Sequence, residues 1–174
     1  MRLFVAIRLP EECRPAVARA TSPLDGALGA RLLEPENWHL TLRFVGEAGE
    51  ADAKRIIGAL AGIKFAPFAV KLSGAGAYPS YEVPRAIYVG GESEGAKELA
   101  KKVEETLSFL HLAPEKFSVH LTVARSKGIA DIEEFVQKTG EVCSFQAKSF
   151  CLMRSVLGAQ GAAYEVLREY PAQP

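Results

Sequence analysis

The sequence has only three histidines, three cysteines and one tryptophan in 174 residues, and no excess of charge: 21 Lys+Arg stand against 21 Asp+Glu. Without net positive charge, a global field that grips duplex nucleic acid is excluded, and any nucleic-acid role must rest on a local site. No segment reaches the ~18 consecutive apolar residues of a membrane span. The apolar start, Leu3 to Ile7, is cut off by Arg8 and Glu11 and is too short for a secretory signal core. Cys13, Cys143 and Cys151 form no CxxC pair and no zinc-ligand spacing. If the extended stretch holding Cys143 and Cys151 is one strand, they stand roughly 27 Å apart, beyond disulfide reach. Scattered thiols in odd number fit a reducing compartment, so a cytoplasmic protein is expected. HExxH, His-x-His and carboxylate clusters beside the histidines are all missing, so no metal and no cofactor are expected.

What is present is the mix of an ordinary soluble domain, 48% hydrophobic and 24% charged. Strand patterns alternate with helical ones. Strands are predicted over Arg2–Ile7, Trp38–Phe44, Phe68–Leu72, Ala86–Val89, Phe117–Ala124 and Tyr164–Tyr170, with one long extended segment from Cys143 to Val156. Helices are predicted after Pro10 and over Ala51–Leu60, Ala96–Leu110 and Asp131–Lys138. The segment SGAGAYPSYEVP reads as an irregular loop, and Gly158–Gly161 as a turn. Each half of the chain runs strand, helix, His-bearing strand, helix, strand. The expected unit is a single domain over 1–174 with halves 1–84 and 85–174 related by an internal repeat.

Two of the three histidines sit in matching tetrapeptides, His39-Leu40-Thr41-Leu42 and His120-Leu121-Thr122-Val123. On a strand, residues i and i+2 share a face. Each motif therefore presents an imidazole beside a hydroxyl, while the leucines and valine face the core. An imidazole titrates near neutral pH and serves as general acid or base. Threonine donates a hydrogen bond from a stiff side chain. Two such pairs facing one another suit in-line displacement at phosphorus, one His activating the nucleophile and the other protonating the leaving oxygen. A single His-x-Thr on a strand is ordinarily a structural pair; its duplication is what carries the reading. His111, near a helix end, has no such company and is given no function.

By strict alternation Arg43 shares the face of His39 and Thr41 and is expected to reach the cleft and bind phosphate. Arg125 faces away from His120 unless the strand bends or ends at Ala124. GGESEGAK has Ala96 where a phosphate loop needs its second glycine, and Glu92 and Glu94 would repel phosphate. It is expected to be a strand-to-helix turn.

Two H-x-T-x motifs about eighty residues apart resemble the two-histidine phosphoesterase superfamily. The contexts RLFVAIRLPEE, ENWHLTLRFVGE, FSVHLTVARSKG and YEVLREYP are similar to its RNA 2′,3′-cyclic phosphodiesterase branch, also called 2′-5′ RNA ligase-like proteins. The similarity spans essentially the whole chain. The resemblance implies an α+β, bilobal fold in which two antiparallel sheets with outer helices flank a central cleft, with a pseudo-two-fold repeat. It also implies opening of an RNA-terminal 2′,3′-cyclic phosphate to a 2′-phosphate without ATP or metal. His39 is then the proton donor and His120 the acceptor, with Thr41, Thr122, Arg43 and Arg125 on the phosphate. The implied partners are RNA 3′ ends or small cyclic nucleotides, met by a monomer away from membranes. Two alternatives stay open: 2′-5′ ligation at the same site, and a non-catalytic module that binds RNA ends or nucleotides.

Overall fold

The computed structural model describes residues 1–158 and 161–173. Among the described residues nine strands and four α-helices follow one another. They are β1 (Arg2–Arg8), α1 (Arg14–Ala20), β2 (Arg31–Leu32), β3 (His39–Glu47), α2 (Glu50–Leu60), β4 (Phe68–Tyr78), β5 (Ala86–Glu92), α3 (Glu94–Thr106), β6 (His120–Arg125), α4 (Glu133–Lys138), β7 (Glu141–Ala147), β8 (Ser149–Gly158) and β9 (Gly161–Pro171). The expected turn at Gly158–Gly161 lies partly outside the described residues.

The local reasons are plain for the elements that carry the site. Five consecutive residues of β1, Leu3 to Ile7, are buried, so this strand is covered on both faces. α3 starts where Ser93 Oγ accepts a hydrogen bond from the Ala96 amide at 3.1 Å, a side-chain N-cap with Glu94 in the first turn. Ala96, Leu99, Ala100 and Val103 then recur on one buried face. GGESEGAK is thus the expected strand-to-helix turn.

The strands form one curled antiparallel sheet in the order β7-β4-β5-β6-β3-β1-β8-β9, with β2 paired to β6. Two sheets were expected. The join is the β3–β6 contact, where the register pairs Leu40 with Leu121. Two other expectations are corrected. The segment from Cys143 to Val156 is not one strand: it breaks at Lys148, with β7 on β4 and β8 between β1 and β9. Half of the predicted loop after Leu72 is strand: β4 runs on to Tyr78, paired with β7 as far as Ser73 and with β5 over Ala75, Gly76, Ala77 and Tyr78. The ladder with β5 recruits a glycine-rich stretch with little strand propensity of its own.

The main core holds the buried residues of α1 to α4 together with Leu40, Leu42, Leu121 and Val123. A smaller cluster of Phe4, Ala6, Cys151 and Met153, with Tyr164 against it, covers β1 and β8 beside His39.

Candidate active site

The two motif strands are neighbours at the centre of the sheet. His39 and Thr41 are half-buried while Leu40 is buried, and the same holds for His120, Thr122 and Leu121. Continuing the Leu40–Leu121 register by one residue each way sets His39 across from Thr122 and Thr41 across from His120. Both histidines and both threonines therefore meet on one face. The sheet brings together the four residues that the motif pattern singled out.

Each imidazole is held by the carbonyl two residues before it. His39 Nδ1 lies 2.7 Å from the Asn37 oxygen, and His120 Nδ1 lies 3.0 Å from the Ser118 oxygen. A carbonyl can only accept, so Nδ1 carries a proton in both rings, and Nε2 is the nitrogen that can exchange a proton with a ligand. Ser118 Oγ adds a second polar neighbour to His120 Nδ1 at 3.2 Å. The surroundings of the two rings differ. His39 packs against Phe4 and meets the edge of Tyr164, at centroid distances of 4.9 and 5.0 Å. His120 has Tyr88 at 5.5 Å. Burial lowers the His39 pKa from 6.5 to about 4; the Asn37 bond opposes this, and the charges of Arg125 and His120 add to it. With a pKa of about 4, His39 is neutral at pH 7.

The arginines are placed opposite to the alternation argument. β3 pairs Val5 with Arg43 and Ala6 with Thr41, which leaves Leu42 as an extra residue. β6 carries the same irregularity: Ile87 pairs with Ala124 and Tyr88 with Thr122, leaving Val123 extra. A bulge of one residue reverses the facing of all that follows. Leu42 and Arg43 are consecutively buried, as are Val123 and Ala124, and the exposed residues after them are Phe44 and Arg125. Arg43, only 4% exposed, does not reach the cleft. Its Nη1 meets Glu115 Oε2 at 3.2 Å and Nη2 donates to the Ala113 carbonyl at 2.5 Å. Arg125 takes the cleft face with His120 and Thr122, and its charge acts on His39.

Sequence reasoning left out Phe4, Tyr88, Tyr164 and the carbonyls of Asn37 and Ser118. Periodicity marks Phe4 only as one apolar residue in a run of five, and nothing local ties Tyr88 or Tyr164 to a histidine. Gly76, across from Tyr88, makes room for its ring: a Cβ there would lie 2.5 Å from Tyr88 Cζ. Among the described residues no three His, Cys, Asp or Glu side chains are grouped to hold a metal ion. No helix among them is long and apolar enough to cross a membrane.

Residues 7–88 match the family model described as LigT like phosphoesterase. A protein of Archaeoglobus fulgidus named RNA 2′,3′-cyclic phosphodiesterase is 36% identical, over 98% of this chain and 99% of its own. One of the same name from Methanocaldococcus jannaschii is 33% identical, over 98% of this chain and all of its own. Among solved structures, TT0787 of Thermus thermophilus superposes with a TM-score of 0.86 at 29% identity, covering 98% of this chain and 97% of that one.

Proposed function

This chain belongs to the LigT-like phosphoesterase family, and on that premise we propose that it is an RNA 2′,3′-cyclic phosphodiesterase. The observation that carries the reading is the pair of Nδ1 locks, which present two Nε2 atoms beside two threonines in one cleft. In the proposed reaction His120 Nε2 takes a proton from water as its oxygen attacks phosphorus. The bond from phosphorus to the 3′ oxygen breaks, and His39 Nε2 gives that oxygen its proton, leaving a 2′-phosphomonoester. Thr41, Thr122 and Arg125 meet the non-bridging oxygens, whose charge grows in the transition state. No step calls for ATP or a metal ion: the proton transfers belong to the imidazoles, and Arg125 supplies positive charge.

A donor must be protonated when substrate is bound, and burial holds His39 neutral near pH 7. A phosphodiester anion beside it favours the imidazolium and raises its pKa. Substrate binding near pH 7 then takes up a proton. A second reading follows from the same observation: a ring with pKa near 4 is already an acceptor, and the two roles exchange. It requires no proton uptake at His39. NMR titration of the His39 and His120 ring signals in the complex with a non-hydrolysable phosphate analogue shows which ring is the imidazolium and separates the two assignments.

The matching bulges and carbonyl locks also support one two-lobed domain over 1–174, with halves 1–84 and 85–174 as copies of one unit. The direct experiment is turnover of a nucleoside 2′,3′-cyclic phosphate after exhaustive EDTA treatment. A 2′-phosphate product is expected. No turnover, or turnover restored only by added divalent metal, overturns the proposed chemistry.

A further inference from the structure

The geometry points to a base-stacking subsite at Tyr78, which takes the nucleobase of the nucleotide preceding the cyclic end of an RNA strand. The inference rests on the phosphodiesterase reading and extends its substrate from a nucleotide to a strand. Tyr78 pairs with Ala86 and Ala86 with Arg125, so the three stand in one row across β4, β5 and β6. The next row towards the histidines is Gly76, Tyr88 and Thr122. Ala77, beside Tyr78 on β4, pairs with the buried Ile87 and packs on the main core. By alternation Tyr78 points the other way, to the face that carries Tyr88, Thr122 and Arg125. There its side chain is 70% exposed, and among the described residues no ring contact or hydrogen bond holds it. A lone exposed tyrosine is ordinary on a protein surface. One that shares a row with a cleft arginine is not.

Position identifies the occupant. Tyr78 lies two strands over from Thr122 and one row further out, about 10 Å across and 7 Å along, or about 12 Å in all. The terminal nucleotide's own base is nearer its 2′,3′ phosphate than that, since only the ribose separates the two. The base of the preceding nucleotide has the reach. Ala86, between Tyr78 and Arg125, carries only a methyl group and leaves room for a flat ring above it. A strand leaving a base stacked there passes Arg125 before it reaches the histidines. The Arg85 amide donates to the Tyr78 carbonyl at 2.8 Å, and the Ser126 amide to the Arg85 carbonyl at 3.2 Å, which ties this end of β4 to the end of β6. The chain as a whole has no net charge, yet Arg85, Arg125 and Lys127 are exposed here. The loop from Pro79 to Pro84 holds one carboxylate, Glu82. Positive charge for a backbone and a flat face for a base are what a single strand needs.

The test measures kcat/KM for three substrates: cytidine 2′,3′-cyclic phosphate, a dinucleotide ending in the same cyclic phosphate, and that dinucleotide with an abasic first unit. The abasic substrate keeps every phosphate and lacks only the base. Wild type is expected to prefer the full dinucleotide over the abasic one about 10-fold, within the range of one base–aromatic stack. In Tyr78→Ala that ratio falls toward one, and in Tyr78→Phe, which keeps the ring, it persists. Equal turnover of the full and abasic dinucleotides by wild type overturns the subsite alone, with no variant needed. An unchanged ratio in Tyr78→Ala, or a lost one in Tyr78→Phe, does the same. Turnover of none of the three substrates overturns the phosphodiesterase reading and the subsite with it.

Discussion

Arg43 and Glu115 stand 72 positions apart in the chain, yet Arg43 Nη1 lies 3.2 Å from Glu115 Oε2. The same carboxylate oxygen accepts from the Phe44 amide at 3.4 Å, and Glu104 lies 3.8 Å from the guanidinium. These contacts tie β3, which carries His39, to the segment leading into Ser118 and His120. Between the two motif strands the register gives a single pair, Leu40 with Leu121. The ion pair is therefore a second clamp between the two motifs.

Removing the clamp is expected to cost stability, because Arg43 is buried and keeps its charge. Glu115→Ala should lower the unfolding free energy by about 1–3 kcal/mol, the cost of stripping a charged group of a hydrogen-bond partner. Arg43→Ala should cost a similar amount, and the double variant much less than the sum. Urea unfolding of the four proteins measures the coupling, and strict additivity would deny the clamp.

The two arginines should separate by assay. Arg125→Ala is expected to lose about 10–100-fold in kcat/KM with little change in unfolding, since an exposed cation that meets phosphate carries transition-state charge. Arg43→Ala should shift unfolding first. Equal kinetic losses at matched stability would mean that Arg43 reaches the phosphate after all.

His39 should make stability depend on pH. Its pKa falls from 6.5 in the unfolded chain to about 4 in the fold, so the native state binds fewer protons between those values. Stability from a neutral buried ring would rise with acid only if the fold bound the proton; here the unfolded chain binds it, so acid destabilises. The cost is absent above pH 6.5, grows as pH falls through the window and reaches full size below pH 4. At full size it amounts to about 3 kcal/mol. His39→Gln should flatten unfolding free energy over pH 4 to 6.5 relative to wild type, and an unchanged slope would assign the acid sensitivity elsewhere.

The histidines should fail together. His39→Ala and His120→Ala are each expected to lose about 10²–10⁴ in rate, and the double variant far less than the product. Wild-type kcat against pH should be bell-shaped, with apparent values that belong to the pair. A single variant with near-normal turnover would take that histidine out of the proton transfers, and a wild type without turnover would favour the module that binds RNA ends without catalysis.

Gly76→Ala reaches the site without touching substrate. The new Cβ must displace the Tyr88 ring, which packs at His120. Turnover should fall with only a small change in stability, and the His120 ring signals should shift in an NMR spectrum. Unmoved signals would show that the tyrosine ring swings clear.

The amino-acid order alone singled out the side chains that we propose do the chemistry. A tetrapeptide repeated around two of three histidines was legible because strand alternation over two residues survives almost any sheet. His39 with Thr41, and His120 with Thr122, needed nothing else. Alternation failed at the next step. Leu42 and Val123 look like ordinary core residues, and no local signal tells that each is the extra residue of a bulge. That choice belongs to the partner strands β1 and β5, and it sent Arg43 to a buried ion pair and Arg125 to the cleft. Pairing over long separations also decided that β7 and β8 part at Lys148, that the glycine-rich end of β4 is strand, and that Phe4, Tyr88 and Tyr164 meet the histidines. Facing over two residues is a property of the backbone, whereas register and neighbours are properties of the whole sheet.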